Sequence, residues 1–393
     1  MPFSLLLAFV LSLAVVVSAS GSVGRLPAST ELAVTNSASD VPGVLIAFFV
    51  RGGGRRYLTL TTVPSGRTRL VRLPRPAAKG KASSLEFSAD GKTVSGLAGG
   101  VFFVARTADA RLIRTVGPPQ LGRGVLGARL APDGRQVAVI HKVYRRNSSC
   151  LGDAWISVLN ASGKGRRLTA LPPLVRPTGE RSVFIDEVSW SPDSRWLTYT
   201  VSRFDASGDC RGNEYESGLL FRTAAAGSAV VQLRRTSDGI GSPIWSPDGG
   251  FLSYSEGSID HGSLFVVRPN GSGRRRLASF GVMDGVTWVS EAWSSARSIV
   301  FAGNRLQSSA SNVADLYVAD VRRAGLHHVA KFDFTTTVHD VSADRRFVAL
   351  ESGDQEIAIL TLADGVIAER AQYRSPRSDL RFEEEPVAVW LRS

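Results

Sequence analysis

The chain lacks the local motifs by which many enzymes and membrane proteins are recognised. After residue 17, no apolar run approaches the length of a membrane-spanning helix. There is no Gly-x-Ser-x-Gly motif, no phosphate-binding glycine loop and no Asp-x-Asp-x-Asp-Gly calcium loop. The signatures of serine hydrolases, nucleotide-binding folds and EF-hand proteins are therefore missing. Long amphipathic helical patterns are also absent.

Lysine is scarce, because only six of the 47 basic residues are lysines and the others are arginines. The formal net charge of +12 would favour anionic partners such as nucleic acid, acidic polymers or lipid headgroups. The arginines are nevertheless scattered singly and in pairs along predicted turns, and the densest run lies at 273–277. We therefore predict a solvated basic surface and no nucleic-acid partner.

The N-terminus has the pattern of an export signal. An apolar run at 3–17 is followed by small residues, and Val17, Ser18 and Ala19 fit a small-x-small cleavage site. We predict a signal peptide at 1–19, a lead-in segment at 20–43 and an exported or envelope-associated protein. An uncleaved N-terminal anchor is the alternative, since no basic residue precedes the apolar run.

A short segment recurs along the chain, in forms such as WSPDSRWLTY and WSPDGGFLSY. Its central aspartates lie at five places: Asp90, Asp133, Asp193, Asp248 and Asp344. A degenerate copy has Ala296 at the same point, and successive copies are 43 to 60 residues apart. This spacing is the length of a propeller blade with loops of variable size.

Each copy has the chemistry of a strand, a tight turn and a second strand. Pro192 suits the second position of a type I turn, the aspartate bonds local backbone, and glycine is favoured at the fourth position, as at Gly134 and Gly249. Two further predicted strands complete each unit. We predict an all-β fold: a single β-propeller of four-stranded antiparallel blades over residues 44–393.

The two ends of the chain supply one more blade. Segments 44–50, 56–63 and 68–73 have strand patterns and lack a first strand, which the C-terminal EEPVAVWLRS would provide. Pairing of the two ends closes the ring and leaves no open edge. We predict seven blades, with six as the alternative if one end is only a cap. A β-sandwich would not require the repeat.

The WSPDG unit resembles the TolB-type, WD40-like propeller repeats of exported bacterial proteins, over nearly all of 44–391. Such units occur in envelope scaffolds, in peptidases and in some polysaccharide lyases, so the resemblance implies a fold and not a reaction. Two departures matter. Residues 20–43 are too few for the N-terminal α/β domain of TolB, and no residues remain for the C-terminal hydrolase domain of the peptidases.

Charged residues on the predicted inner strands are candidates to line the central channel. Glu86, Arg129 and Asp340 lie four residues before their turn aspartates, and Asp186 and Glu187 lie slightly further upstream in their blade. Their signs are mixed, so we predict mainly structural roles, with ligand contact as the alternative. No acid/base pair is evident from the sequence.

The histidines do not predict a metal site. His327 and His328 fall on a predicted outer strand, whereas His339 falls on the inner strand of the next blade. Those strands are separated by about three strand spacings, on the order of 14 Å. We predict no metal and no cofactor.

The two cysteines occupy equivalent places in neighbouring blades. Cys150 and Cys210 each lie 17 residues after their turn aspartates, Asp133 and Asp193, in loops between second and third strands. In an exported protein, a disulfide between these loops is predicted. Two free thiols are the alternative for an intracellular chain.

The loops that carry the cysteines, 141–155 and 202–218, are the longest insertions. Loops between second and third strands emerge opposite the WSPDG turns, and their polar and aromatic residues are typical of a binding surface. Tolerated insertion without function is one alternative, and a calcium ion at Asp205 and Asp209 is another. The predicted binding residues are Tyr144, Arg145, Arg146, Arg203, Asp205, Asp209, Arg211, Glu214 and Tyr215.

These patterns favour an exported, non-catalytic, monomeric propeller that binds a protein or an envelope glycan, with membrane contact only through a possible N-terminal anchor. The main alternative is a lyase or hydrolase acting at the channel mouth. A stability or sensor module of a larger assembly is a further possibility. A converging acid/base cluster with shifted pKa values would favour an enzyme.

Overall fold

The computed structural model describes most of the chain after residue 42. The described ranges are 43–52, 55–63, 65, 67–73, 82–88, 90–122, 124–144, 151–160, 165–168, 181–206, 213–227, 230–241, 243–258, 261–281, 285–307, 313–323, 325–352, 356–372, 381–382 and 387–390. The predicted signal peptide and most of the lead-in segment lie outside these ranges. Within them, no helix is long and apolar enough to cross a membrane.

The described residues form seven antiparallel sheets, and each sheet is one blade. Blade 1 contains β1 (Val44–Gly52), β2 (Arg55–Val63) and β3 (Thr68–Arg72). Blade 2 contains β4 (Ala82–Phe87), β5 (Thr93–Ala98), β6 (Val101–Arg106) and β7 (Arg111–Val116), and a short helix α1 (Pro118–Leu121) follows it. Blade 3 contains β8 (Val125–Leu130), β9 (Val137–Tyr144), β10 (Leu151–Leu159) and β11 (Gly165–Leu168).

The remaining blades repeat this order, from inner strand to outer strand. Blade 4 contains β12 (Arg181–Trp190), β13 (Trp196–Ala206), β14 (Asn213–Ala224) and β15 (Val230–Thr236). Blade 5 has a divided inner strand, β16 (Gly239–Ile240) and β17 (Ile244–Trp245), then β18 (Leu252–Gly257), β19 (His261–Val267) and β20 (Arg275–Gly281). Blade 6 contains β21 (Gly285–Ser295), β22 (Ser298–Gln307), β23 (Val313–Asp320) and β24 (Gly325–Phe332). Blade 7 contains β25 (Thr336–Val341), β26 (Phe347–Ser352), β27 (Glu356–Thr361) and β28 (Ile367–Gln372).

The C-terminal strands complete blade 1 and close the ring. Strand β29 (Arg381–Phe382) and strand β30 (Val387–Trp390) both pair antiparallel with β1, and the β30 register runs from Val44 opposite Trp390 to Ala47 opposite Val387. The Trp390 ring is buried beside Phe347 of blade 7, with centroids 6.0 Å apart. The predictions of seven blades and of closure by the two ends are confirmed, and the six-bladed alternative is wrong.

The WSPDG turns share one set of local hydrogen bonds. In blade 5, the Ser246 hydroxyl donates to Asp248 Oδ1 at 2.7 Å, and the same Oδ1 accepts the Gly250 amide at 3.0 Å. The Ser246 hydroxyl also accepts the Phe251 amide at 2.9 Å. Gly249 has a φ of +71°, a left-handed conformation that glycine adopts without strain. Corresponding serine–aspartate bonds occur at Asp90, Asp193 and Asp344. In blade 3 the serine is replaced by Ala131, and Asp133 Oδ1 accepts the Arg135 amide.

A tryptophan that ends the inner strand joins each of four blades to the blade before it. Each indole N–H donates to the preceding blade at 3.0 to 3.2 Å, and three of the four acceptors include a backbone carbonyl. The donor–acceptor pairs are Trp190 with Arg129, Trp245 with Thr198, Trp293 with Ile244, and Trp390 with Asp340. We call this repeated contact the tryptophan latch.

The buried apolar side chains lie between blades. Among the described residues they form seven clusters, and each cluster combines residues of two neighbouring blades. In the cluster between blades 3 and 4, for example, Ile156 of β10 packs with Val188 and Phe221 of β12 and β14. The propeller therefore has one core for each blade interface and none at its axis.

The ring has two distinct faces, because all inner strands run in the same sense. The connections from first to second strands, with the WSPDG turns, and from third to fourth strands lie on one side, which we call the turn face. The connections from second to third strands and from blade to blade lie on the other side, the loop face.

Candidate functional site

The hairpin of blade 4 extends further than its counterparts toward the loop face. Strands β13 and β14 have 11 and 12 residues, whereas the matching strands β5 and β6 of blade 2 have six each. The segment 202–218 was expected to be a loop, but the structure pairs 202–206 with 213–218. The expectation failed because glycine, serine, aspartate and asparagine are common in this segment and predict turns, while the pairing of the strands continues through them.

Several predicted binding residues are therefore on strands. Tyr144 ends β9 opposite Leu151. Asp205 is opposite Glu214, and Phe204 is opposite Tyr215. Arg203 is on β13 and only 8% exposed, so its place is at the base of the hairpin and not at its tip. Four predicted binding residues and both cysteines lie outside the described ranges: Arg145, Arg146, Asp209, Arg211, Cys150 and Cys210.

Below the two hairpins, an aromatic pair and a lysine connect blades 3 and 4. The Lys142 Nζ of β9 lies 4.1 Å from the centroid of the Phe184 ring on β12. Phe184 in turn meets Phe204 edge to face, with centroids 5.1 Å apart. All three side chains are half-buried, so the cation lies against an aromatic face that is partly removed from water.

Next to this group, the inner strand β12 carries two consecutive carboxyl groups. At a bulge between Ile185 and Val188, two residues of β12, Asp186 and Glu187, lie opposite the single residue Thr200 of β13. The hydroxyl of Ser202 donates to Asp186 Oδ2 at 2.6 Å. Bulges re-aim side chains out of the regular ladder, which explains how neighbouring carboxyl groups can both be directed toward the channel region.

The pKa of Asp186 is strongly raised, to about 8. Burial is the largest cause, and the nearby charge of Glu187 adds to it, while the Ser202 hydrogen bond and the charge of Lys142 oppose it. Asp186 is therefore largely protonated at neutral pH, so its carboxyl group can both donate and accept a hydrogen bond.

An arginine connects two carboxylates, one from the inner strand on each side of its own. Arg129 of β8 lies 3.3 Å from Glu187 Oε2 of β12 and 3.8 Å from Glu86 Oε2 of β4. The side chains remain 24%, 35% and 47% exposed respectively, so water reaches them inside the ring. Burial nevertheless raises the pKa of Glu86. The charge of Arg129 opposes this increase, and the charge of Glu187 adds to it.

These side chains form one continuous group from the base of the hairpins into the ring. We call it the channel cluster: Glu86, Arg129, Lys142, Phe184, Asp186, Glu187, Ser202 and Phe204. It offers charged groups of both signs, a protonated carboxyl group and aromatic surface. The described residues contain no group of three histidine, cysteine or acidic side chains placed to hold a metal ion.

The sequence indicated only part of this cluster. Glu86, Arg129, Asp186 and Glu187 were candidates from their position before the turn, but no acid/base pair was recognised among them. Lys142, Phe184, Ser202 and Phe204 were not singled out as candidates. Only their position in the chain could have identified them as site residues, since Lys142, Ser202 and Phe204 lie where the long hairpins leave the ring.

A serine, a histidine and an aspartate also meet on the loop face of blade 5. Ser258 Oγ lies 2.8 Å from His261 Nδ1, and His261 Nε2 lies 3.4 Å from Asp238 Oδ2. The residue types match a catalytic triad, but Ser258 and His261 flank one tight turn, in which the Ser258 amide donates to the His261 carbonyl at 2.9 Å. The serine–histidine bond is thus a local turn contact, and we assign it a structural role.

The remaining histidines lie as the sequence predicted. His327 and His328 are on the outer strand β24, and His339 is on the inner strand β25. His328 pairs with Asp315 at 3.2 Å, and His339 lies 3.6 Å from Glu351. His328 and His339 thus have different carboxylate neighbours.

No model of a known protein family matches the sequence, and no curated protein matches it significantly. Many solved structures share its fold. An oligogalacturonate lyase in complex with manganese is 13% identical with a TM-score of 0.51, and the match covers 84% of each chain. A 6-phosphogluconolactonase candidate from Bacteroides uniformis is 12% identical with a TM-score of 0.50, covering 89% of this chain and 99% of that one.

A protein designated TolB from Agrobacterium tumefaciens is also among the similar structures, at 16% identity and a TM-score of 0.43, covering 74% of this chain and 90% of that one. At such identities, likeness shows the fold alone. That fold is a seven-bladed β-propeller closed by its two ends.

Proposed function

We propose that the protein is an exported, non-catalytic propeller that binds a protein or an envelope glycan through its loop face. The observation that carries this proposal is the convergence of the long hairpins of blades 3 and 4 on the channel cluster. Binding surfaces are commonly loops held by a rigid scaffold, and here two neighbouring blades hold them. The N-terminal signal pattern and the paired placement of Cys150 and Cys210 support export.

The chemistry of the cluster suits a polar ligand with an apolar side. Arg129 and Lys142 can bind acidic groups, the protonated Asp186 can donate to a neutral oxygen, and the Phe184 ring offers a flat apolar surface. Sugars and exposed protein side chains both present this mixture. The charges are mixed in sign, so specificity would come from hydrogen-bond geometry more than from net attraction.

A crosslinked pull-down from envelope extract tests the proposal, with four forms of the full chain. The first is wild type, and the second has 145–150 and 207–212 each replaced by Asn-Gly, which leaves the strands intact. The third has the equivalent blade 6 loop, 308–312, replaced in the same way as a matched control. The fourth carries Cys150→Ser and Cys210→Ser, which separates loss of a disulfide from loss of the surface.

We expect one partner to be captured by wild type and by the blade 6 control and lost in the second form. A glycan array probed with the same four proteins covers a carbohydrate partner. Equal capture by all forms would contradict the assignment of these loops.

Catalysis at the channel mouth is the second candidate, favoured by the pKa of about 8 at Asp186. A protonated carboxyl group beside a carboxylate is the arrangement that general acid/base catalysis of glycan cleavage requires. If this candidate holds, Asp186→Asn abolishes turnover of an oligosaccharide substrate, and wild type loses activity as the pH rises through about 8. Turnover by Asp186→Asn at the wild-type rate would exclude it.

A further inference from the structure

A second surface feature lies on the turn face, away from the channel cluster. It is a cavity of about 690 Å³ between blades 6 and 7. The WSPDG-type turns of both blades and the outer hairpin of blade 6 form its walls. Its lining includes Ala296, Arg297, Val318, Leu326, His327 and Arg345.

Two arginines of this cavity occupy a position at which the repeat favours glycine. In blades 2, 3 and 5, the residue after the turn aspartate is a glycine with φ between +66° and +71°. The aligned residues in blades 6 and 7 are Arg297 and Arg345. Arg345 retains the left-handed conformation, with a φ of +61°, which costs a non-glycine residue conformational free energy. Strain of this kind is a reason to look for a function.

The two guanidinium groups have no carboxylate partner among the described residues. Both arginines are exposed and neither forms an ion pair there. Asp320, also in the cavity wall, uses its Oδ1 to accept the backbone amides of Arg322 at 2.7 Å and Arg323 at 3.3 Å. The Asp344 carboxylate is likewise bound to Ser342 and to the Arg346 amide. The cavity therefore has positive charge available for a ligand.

The remainder of the cavity wall is partly apolar. Leu326 is 48% exposed and is one of the few large hydrophobic side chains that the described residues leave on the surface. Val318 and Ala296 lie in the same wall. An apolar surface beside two cations matches a ligand that joins an anionic end to an apolar body.

We propose that this cavity binds a carboxylate carried on an apolar group, with Arg297 and Arg345 at the carboxylate and Leu326 and Val318 against the apolar part. Guanidinium groups match the planar carboxylate in two-point hydrogen bonding. The ligand is either a small organic acid or the C-terminus of a peptide that ends in an apolar residue. This site is on the opposite face from the binding surface proposed above and does not depend on it.

Calorimetry on the full-length protein at low salt tests the site with three probes. They are 4-phenylbutyrate, the tripeptide Ala-Ala-Leu with a free carboxylate, and the same tripeptide with an amidated C-terminus. We expect one or both carboxylate probes to bind in the sub-millimolar to millimolar range and the amide to bind at least tenfold more weakly. The probe that binds more tightly identifies the source of the ligand.

Arg345→Gly is the informative variant, because it restores the turn residue of blades 2, 3 and 5 and should fold at least as stably as wild type. We expect it to weaken carboxylate binding by about tenfold or more, as one lost charged hydrogen-bond pair does. Arg323→Ala, on the neighbouring turn but outside the cavity wall, should leave binding unchanged. No binding of either carboxylate, equal binding of the amide, or unchanged binding by a protein carrying both Arg297→Ala and Arg345→Gly would overturn the proposal.

Discussion

Glu291 is a carboxyl group on the inner strand β21 that the fold removes almost completely from water. It is 9% exposed, and its Oε1 atom has no hydrogen-bond partner in the described part of the chain. Burial raises the pKa of Glu291 to about 8, against an ordinary value of 4.5, and the Ser253 hydroxyl only partly opposes this. Between these pH values the folded state keeps a proton that the unfolded state releases. The free energy of unfolding therefore falls as the pH rises from about 4.5 to about 8.

Glu291→Gln should remove this pH dependence while keeping the side-chain shape. We expect the variant and wild type to differ little in Tm at pH 4.5, where the carboxyl group is protonated in the folded state and half-protonated in the unfolded state. At pH 8 the variant should melt about 2–4 °C higher, since it has no charge to bury. Thermal unfolding followed by circular dichroism from pH 4.5 to pH 9 measures this. A Tm difference that is constant with pH would contradict a buried titrating group.

For single residues, the sequence predicted contacts between neighbours in the chain and missed contacts that form only between blades of the folded ring. The turn aspartates were recognisable because their partners lie within a few residues, as Ser246 and Gly250 do for Asp248. The contact of Arg129 with Glu86 and Glu187 joins three blades. Its geometry follows from the stagger of neighbouring blades and from the bulge in β12, neither of which has a sequence signature.

The tryptophan latch is the element-scale contact most open to test. Trp293 Nε1 lies 3.2 Å from the Ile244 carbonyl and 3.2 Å from Ser253 Oγ, so the end of β21 is bound to blade 5. Trp293→Phe keeps an aromatic ring and removes the donor. We expect a loss of about 1–3 kcal/mol in the free energy of unfolding, because the indole hydrogen bond to the Ile244 carbonyl between the two blades is lost.

Equilibrium unfolding in urea measures this loss. Trp196→Phe is the control, since the Arg222 guanidinium lies 4.2 Å from the centroid of that ring and so contacts its face, not its indole N–H. Equal stability losses in the two variants would show that ring volume, and not the indole hydrogen bond, stabilises the blade interface.

The long hairpins show why element boundaries were harder to predict than element order. All strands of blade 4 were anticipated, but β13 and β14 extend through residues whose composition is typical of turns. Strand pairing outweighs the local preference of these residues for turns. Each residue added to a hairpin that is already in register gains hydrogen bonds without a new loop-closure cost. The connection between β13 and β14 is consequently shorter than the sequence suggested. Arg203 and Tyr215, which were predicted to lie in the loop, lie on strands.

The disulfide between these hairpins remains a prediction, because Cys150 and Cys210 lie outside the described residues. In protein recovered from the envelope, we expect thiol titration under denaturing, non-reducing conditions to find no free thiol. A bridge that closes about 60 residues should add roughly 4 kcal/mol in the chain-entropy model, so reduction should lower the Tm. Recovery of two titratable thiols would contradict both the bridge and part of the case for export.

For the whole molecule, closure by β30 is the decisive contact. Trp390 is 1% exposed, and Ala388 and Val389 are also buried. Removing residues 387–393 loses this burial, about 3–5 kcal/mol for the tryptophan alone, and leaves the β1 edge from Val44 to Ala47 unpaired. Because domains of this kind have total stabilities of about 5–15 kcal/mol, we expect the shortened protein to be largely unfolded or aggregated.

Size-exclusion chromatography and thermal unfolding test this expectation. Removal of 391–393 alone, which keeps β30, is the matched control and should behave as wild type. A cooperative melt of the 387–393 deletion at the wild-type temperature would mean that six blades and an open edge are sufficient.

The propeller fold was predicted correctly and the channel cluster only in part, because the blade pattern is repeated along the chain and the cluster is not. Six copies of one pattern predict the ring, so neither the degenerate copy at Ala296 nor the divided inner strand of blade 5 obscured it. The channel cluster occurs once, and it combines residues from blades 2, 3 and 4. A single sequence contains no repetition from which such a group could be recognised.

Because blade 1 contains strands from both sides of the repeat, its completion waits until the other six blades have been synthesised. The seven residues of β1 from Val44 to Val50 are all buried in the finished ring. They leave the ribosome before the other six blades, whereas β30, which covers their edge, leaves it after those blades. At roughly 5–20 residues per second, the interval is on the order of tens of seconds. Throughout that time the newborn chain presents an apolar strand with an open edge, which makes it a substrate for chaperones long before it can bind anything as a propeller.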